Sequence, residues 1–231
     1  MSATLSHPER ILDGRTFRLL TILPALNGDD PLLCECHSFD IDEAPPYEAL
    51  SYVWGDSSPS ANIWCNGQCI EIGPSLSQAL KRLRYRESKR IIWADAICID
   101  QADEGEKSHQ VPLMGSIYSL ARRVVVWLGE GDAQQIRQAF EAAETIADAC
   151  DDYDERHGII SDDLTDHHKV KLPEIAASPI ILSSLKELYN RPWFHRIWCI
   201  QEIRLAADAL VIWGDAEIPW SALAMSARWI F

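Results

Sequence analysis

The chain has 231 residues, of which 47% are hydrophobic, so it is long and apolar enough to build a substantial core. Its formal net charge of −14 argues against a nucleic-acid backbone or an anionic membrane as the main partner. The N-terminal residues show no charged stretch followed by an apolar one, and no apolar run approaches the ~20 residues of a membrane helix. The seven cysteines are odd in number and lie mostly in apolar runs, which favours reduced thiols in a cytoplasmic protein.

Strand-like and helix-like segments alternate through the first half of the chain. Asn66-Gly67 supplies the positive φ angles of a tight hairpin turn, and Pro74 opens an amphipathic helix. A second helical stripe follows at residues 111–121. The predicted strands are residues 17–23, 32–41, 47–54, 90–99 and 123–128, together with the hairpin 61–72.

This alternation predicts βαβ units and a parallel sheet with helices on both faces, with the β-hairpins added to it. Parallel sheets bind ligands at the carboxyl ends of their strands. Those ends are the loops 54–59, 100–106 and 129–132, which carry glycine and acidic residues. None of them has the spacing of a phosphate-binding glycine-rich loop.

The second half of the chain is organised around residues 191–206, which we predict to form one helix opened by Pro192. Trp198 and Glu202 lie one turn apart on it, on the same face. A carboxylate buried there would have a raised pKa, which is typical of a functional site. The helix alone leaves open whether Glu202 belongs to a site or forms a structural ion pair. Helices are also predicted at 132–151 and 178–190, an irregular acidic insertion at 151–168, and a closing hairpin at 209–220.

Other chemistries fit the sequence less well. The cysteine pairs 34/36 and 65/69 lack the spacing of a zinc site, so no metal is expected. Cys98 and His109 would make a thiol–imidazole pair, but Cys98 falls in a predicted buried strand. The acidic loop lacks the spacing of a calcium loop. A hydrolase with two carboxylates stays open, in which Glu202 is joined by Asp56, Asp95 or Asp100.

Three blocks of the sequence together resemble the heterokaryon incompatibility (HET) domain of filamentous fungi. They are YEALSYVWGD at 47–56, WADAICIDQ at 93–101 continuing to VVVWLG at 124–129, and RPWFHRIWCIQEI at 191–203. Asp100 departs from the family, which often has Asn there. The resemblance covers about residues 15–215 and implies a single domain over 1–231. It would comprise an N-terminal βαβ part (15–130), a helical insertion (131–190) and a closing part with the helix and hairpin (191–231). It also implies a role in fungal cell death, as effector or regulator.

A fainter resemblance links the same segments to Toll/interleukin-1 receptor (TIR) domains. LSYVWGD at 50–56 is similar to the L-S-F-R-G-x-D of their first strand and loop, with one extra residue. WCIQEI at 198–203 is similar to the W-C-x-x-E-L of their third helix. The resemblance implies a flavodoxin-like core. In the TIR enzymes that glutamate cleaves the nicotinamide–ribose bond of NAD.

These resemblances define the expected site. Glu202 would be the catalytic residue, with NAD or a related nucleotide as substrate and no cofactor required. A non-catalytic interaction module that signals cell death is the alternative. Self-assembly or other death-pathway proteins are the expected partners. The residues expected to hold the nucleotide are Ser51, Tyr52, Trp54, Gly55, Asp56, Asp95, Asp100 and Trp198.

Overall fold

The computed structural model describes residues 11–55, 61–157, 170 and 178–230, and the strands among them form one nine-stranded sheet. The strands are β1 (Thr16–Ile22), β2 (Leu33–Asp40), β3 (Glu48–Tyr52), β4 (Ala61–Cys65), β5 (Gln68–Ile72), β6 (Arg90–Trp93), β7 (Arg123–Trp127), β8 (Ala209–Trp213) and β9 (Ala216–Pro219). Their order across the sheet is β5-β4-β2-β1-β6-β3-β7-β8-β9.

The centre of the sheet is parallel. Strand β3 pairs in parallel with β6 on one side and β7 on the other, and β7 pairs in parallel with β8. Every residue of β3 is buried, as expected for a central strand of a parallel sheet. Counted along the chain, these four strands have the order 2-1-3-4, which is the flavodoxin-like order. The predicted α/β fold with a parallel core is confirmed.

Antiparallel strands extend this core at both edges. Strand β1 lies between β2 and β6, and the hairpins β4–β5 and β8–β9 close the two edges. The predicted turn is confirmed, because Asn66 and Gly67 adopt φ angles of 50° and 76°. The sequence did not predict which strands these additions would pair with, since such pairs join segments far apart in the chain.

Most of the helices lie close to their predicted positions. Pro74 is the first residue of α1, which buries Leu76, Leu80 and Leu83. The Ser178 hydroxyl caps the start of α5 by accepting from the backbone N–H of Ile181 at 3.4 Å. The helices are α1 (Pro74–Leu83), α2 (Asp95–Cys98), α3 (Glu104–Leu120), α4 (Ala133–His157), α5 (Pro179–Tyr189), α6 (Cys199–Arg204) and α7 (Trp220–Ile230).

Two predicted elements are wrong in part. The strand 90–99 ends at Trp93 and turns into the short helix α2, because an apolar run does not distinguish a strand from a buried helical turn. The insertion is helical as far as His157, within α4, and its residues 158–168 lie outside the described residues. The predicted closing hairpin is confirmed by the antiparallel pair β8–β9, and the helix α7 follows it.

Residues 191–206 do not form one helix. A 3₁₀ turn at Pro192–His195 is followed by extended backbone at Arg196, and the α-helix begins only at Cys199. Tertiary hydrogen bonds explain the break. The Arg191 side chain donates to the carbonyl of Leu128 at 2.7 Å, and Arg196 donates to the carbonyl of Tyr52 at 2.5 Å. These bonds tie the segment to the carboxyl ends of β7 and β3 and override its local helix propensity.

A buried ion pair fixes the loop that follows α2. Arg18 on β1 and Glu106 on α3 are almost fully buried, and their side chains meet through two bonds of 2.5 and 3.0 Å. The Glu106 carboxylate also accepts from the backbone N–H groups of Ile11 and Asp100. Burial opposes ionisation of Glu106, but these bonds hold its pKa below the ordinary value. The pair is therefore a satisfied structural element.

A candidate active site at the carboxyl edge of the sheet

A cleft of about 540 Å³ opens beyond the carboxyl ends of β3 and β6. This edge is where a doubly wound sheet binds ligands, and β3 is the strand at which the strand order reverses. Helices α3 and α6 contribute the remaining walls. The lining residues are Val53, Trp54, Gly55, Asp95, Val111, Met114, Arg196, Trp198 and Glu202.

Glu202 reaches the cleft from α6 with only 2% of its surface exposed. The Ser51 hydroxyl, at the end of β3, donates a short hydrogen bond to its Oε2 atom. Ser51 in turn accepts from the indole Nε1 of Trp193, at 2.7 Å. Both Ser51 and Trp193 are 1% exposed. A buried tryptophan and serine thus fix the carboxylate against the central strand.

Arg196 is the cationic residue among those that line the cleft. Its Nη2 donates to Glu202 Oε1 at 3.2 Å, and its Nη1 donates to the Tyr52 carbonyl at 2.5 Å. The extended backbone at Arg196, between the 3₁₀ turn and α6, allows one side chain to make both bonds. Arg196 therefore holds Glu202 and the end of β3 together.

Two carboxyl groups share this cleft, and both have pKa values above their ordinary range. Burial is the main cause for Glu202. Its bonds to Ser51 and Arg196 counteract the rise, and the charge of Asp95 adds to it. Burial is also the main cause for Asp95, and hydrogen bonds from Trp54 and the Ala96 backbone counteract it. Perturbed carboxylates in one cleft are typical of a functional site.

Asp95 begins α2 and holds the indole of Trp54, whose Nε1 donates to Asp95 Oδ2 at 2.9 Å. Trp54 is 47% exposed, so this bond orients a side chain that packing alone leaves free. The Tyr52 hydroxyl lies buried beside Asp95 and makes no hydrogen bond of ordinary geometry to a described residue. Trp198 is a second half-exposed indole on the cleft, one helical turn before Glu202.

The structure brings most of the predicted site residues together. Glu202, Trp54, Gly55, Asp95 and Trp198 line the cleft. Ser51 lies behind the cleft against Glu202, and the Tyr52 backbone holds Arg196. Asp100 lies elsewhere, since its carboxylate accepts from the Ala102 N–H in the loop before α3. Asp56 falls outside the described residues.

Sequence reasoning gave no role to four residues that build the site. Trp193 and Arg196 lie in the block 191–203, which was predicted to be one plain helix, and their contacts depend on the extended backbone at Arg196 that interrupts it. Val111 and Met114 were read as part of the buried stripe of α3, yet Val111 is 46% exposed on the cleft. Because Val111 shares the apolar stripe of α3 with buried residues, the sequence offered no signal that it would be exposed.

The cysteine chemistries gain no support from the geometry. Cys34, Cys36, Cys65 and Cys98 are buried, and burial raises the pKa of Cys34 to about 12. His109 is exposed on α3, with its Nδ1 2.8 Å from the Gly105 carbonyl oxygen. Across the described residues no cluster of three or more metal-ligating side chains occurs. None of the helices in that part of the chain combines the length and apolar content needed to cross a bilayer.

The fold and cleft define an α/β protein with a buried carboxylate at the switch point of a flavodoxin-like parallel core. The model of the family described as heterokaryon incompatibility protein (HET) matches residues 47–202. The chain is also 35% identical over 225 residues to heterokaryon incompatibility protein 6, OR allele, of Neurospora crassa. That alignment covers 85% of this chain but 33% of the relative, so the chain spans about a third of the relative's length. No solved structure matches. The chain belongs to the HET family.

Proposed function

We propose that this HET-family chain acts in heterokaryon incompatibility, as a cytoplasmic cell-death effector of fungal non-self recognition. We further propose that its cleft hydrolyses the nicotinamide–ribose bond of NAD. The first part is supported by the family and by the name of the relative from Neurospora crassa. The second is supported by one observation: Glu202 is 2% exposed, yet it faces a cleft at the ligand-binding edge of the sheet.

The chemistry requires little beyond a well-placed carboxylate. The bond between nicotinamide and ribose breaks with build-up of positive charge on the ribose, and the nicotinamide leaves as a neutral ring. Water then supplies the oxygen, and the products are ADP-ribose, nicotinamide and a proton. An ionised Glu202 would stabilise the positive charge or hold the ribose hydroxyls. Arg196 and Ser51 favour the ionised form of Glu202 and fix its position.

The test measures nicotinamide release from NAD by the wild-type chain and by Glu202→Gln, at high protein concentration so that any assembly forms. Glu202→Gln should lower the rate about 10²- to 10³-fold, the usual loss when one stabilising group is removed. Glu141→Gln is a matched control, because Glu141 is an exposed glutamate on helix α4. Its rate should equal that of the wild type.

Absence of turnover by the wild-type chain in every assembly state would refute the enzyme proposal. Turnover of another nucleotide but not of NAD would favour a two-carboxylate hydrolase, for which Glu202 and Asp95 already share the cleft.

A second candidate function is a non-catalytic module that docks onto another copy or a death-pathway protein. It is favoured by the exposed apolar side chains beside the cleft, since Ile197 is 78% exposed and Leu205 is 41% exposed. In a fungal cell-death assay, this function predicts that Glu202→Gln still kills whereas Ile197→Ser does not. The enzyme proposal predicts that Glu202→Gln no longer kills whereas Ile197→Ser still does.

A further inference from the structure

Trp54 is an exposed aromatic side chain that the protein nevertheless holds in place. It lines the cleft directly after β3, and 47% of its surface is exposed. Its one polar atom, Nε1, is held by the Asp95 carboxylate at 2.9 Å. A hydrogen bond to an ionised acceptor is about twice as strong as a neutral one. The ring is therefore oriented without being covered, which leaves its apolar surface available to a ligand.

Asp95 is itself held in position. Its Oδ1 accepts from the backbone N–H of Ala96 at 2.8 Å, and its backbone carbonyl accepts from the Gln101 side chain at 2.9 Å. The carboxylate therefore meets the indole from the rigid start of α2, which directly follows the buried strand β6. Trp54 and Asp95 thus form a fixed pair on one wall of the cleft.

The charges around this pair favour a cationic occupant. When both carboxyl groups are ionised, Asp95 and Glu202 outnumber Arg196, the one guanidinium among the described residues that line the cleft. The guanidinium of Arg196 already donates hydrogen bonds to Glu202 and to the Tyr52 carbonyl. Burial raises the pKa of the Tyr118 hydroxyl, the charges of Glu202 and Asp95 raise it further, and the charge of Arg196 lowers it, so both carboxylates act on this part of the protein. A positively charged ring would gain from the two carboxylates and from the electron-rich face of an indole.

We infer that Trp54 and Asp95 form a subsite for a planar aromatic cation, the pyridinium ring of oxidised NAD, and that they discriminate against the neutral ring. The inference rests on the proposed function for its choice of substrate class. Trp54 supplies the ring face. Asp95 is a positioning residue that orients the indole and adds negative charge. The discrimination is electrostatic, since the oxidised and reduced rings have nearly the same size.

The test uses two small probes of similar shape, the N-methylnicotinamide cation and neutral nicotinamide. Neither has a glycosidic bond, so their binding is independent of turnover. Dissociation constants are measured by ligand-observed NMR. The wild-type chain should bind the cation about 5- to 30-fold more tightly than the neutral ring, the range expected from a desolvated cation–π contact.

Four variants separate the contributions. Trp54→Ala should remove most of the preference for the cation, and Asp95→Ala should do the same. Asp95→Asn keeps an acceptor for the indole N–H but loses the charge, so it should bind neutral nicotinamide as the wild type does and lose the preference. Trp64→Ala is the matched control, because Trp64 is 46% exposed on β4 and lines a different cleft. It should retain the wild-type preference.

Equal affinity of the wild-type chain for the two probes would overturn the inference. A preference that survives Trp54→Ala, or that Trp64→Ala abolishes, would also overturn it. Its failure is distinguishable from failure of the proposed function. Trp54-dependent binding of the cation without NAD turnover leaves the inference standing and refutes the hydrolase. Hydrolysis of NAD by a chain that binds the two probes equally well supports the hydrolase and refutes the inference.

Discussion

Removing the Ser51 hydroxyl should lower the free energy of unfolding substantially, because two buried groups form hydrogen bonds with it. The Trp193 N–H donates to Ser51 at 2.7 Å, and Ser51 donates to the buried Glu202 carboxylate. Ser51→Ala leaves the indole N–H unsatisfied, at about 1–3 kcal/mol, and removes a bond to an ionisable group, at about 1.5–3 kcal/mol. We therefore expect a loss of about 2.5–6 kcal/mol, a large share of the 5–15 kcal/mol by which domains are stable.

Urea unfolding followed by far-ultraviolet circular dichroism measures this loss. Ser108→Ala is the control, because Ser108 is an exposed serine on α3, and it should change stability by about 0.5 kcal/mol or less. Trp193→Phe removes the indole donor. In the Ser51→Ala background it should therefore cost at least about 1 kcal/mol less than in the wild type. Additive effects, or a Ser51→Ala loss below about 1 kcal/mol, would refute this account of the site.

Two further predictions concern buried charges. Glu106→Ala should destabilise the chain by about 3–5 kcal/mol because it removes the carboxylate that pairs with the buried guanidinium of Arg18. Glu104→Ala, on the exposed first turn of the same helix, should cost about 0.5 kcal/mol or less, and urea unfolding compares the two variants. Burial raises the pKa of Glu202 above 4.5, so the unfolded chain ionises first and stability is lost as the pH rises from about 4.5 through the raised pKa. The stability of the wild type relative to Glu202→Gln should therefore decrease over that interval in thermal unfolding scans, and a difference independent of pH would contradict the raised pKa.

Local features of this fold could be predicted from sequence because neighbouring residues determine them. The Asn66-Gly67 turn needs positive φ angles, and Pro74 can begin a helix without losing a hydrogen bond. Alternation of strands and helices was sufficient to predict the parallel core. The break in the strand 90–99 was missed because Ile97 and Cys98 are buried in α2 just as they would be in a strand.

The candidate site could be predicted only in part. The block around Glu202 and the loop after β3 were predicted to meet at the carboxyl edge of the sheet, and they lie together there because parallel strands end at one edge. The partners of Glu202 could not be identified, because Ser51 is 151 positions away and Trp193 reads as an ordinary core residue. The role of Arg196 could not be predicted either, since its two hydrogen bonds depend on a break in the helix that only tertiary contacts produce.

The distance along the chain between Ser51 and Glu202 also affects when the site can exist during synthesis. The two residues are 151 positions apart, and the intervening sequence supplies β6, β7 and both long helices. Domains fold as the chain leaves the ribosome, but a strand cannot meet a helix that has not yet been translated. An emerging chain that ends before the 3₁₀ turn at Pro192–His195 therefore lacks Trp193 and Arg196 as well as the carboxylate of Glu202. Any chemistry that depends on Glu202 therefore cannot begin until the chain has been synthesised through α6.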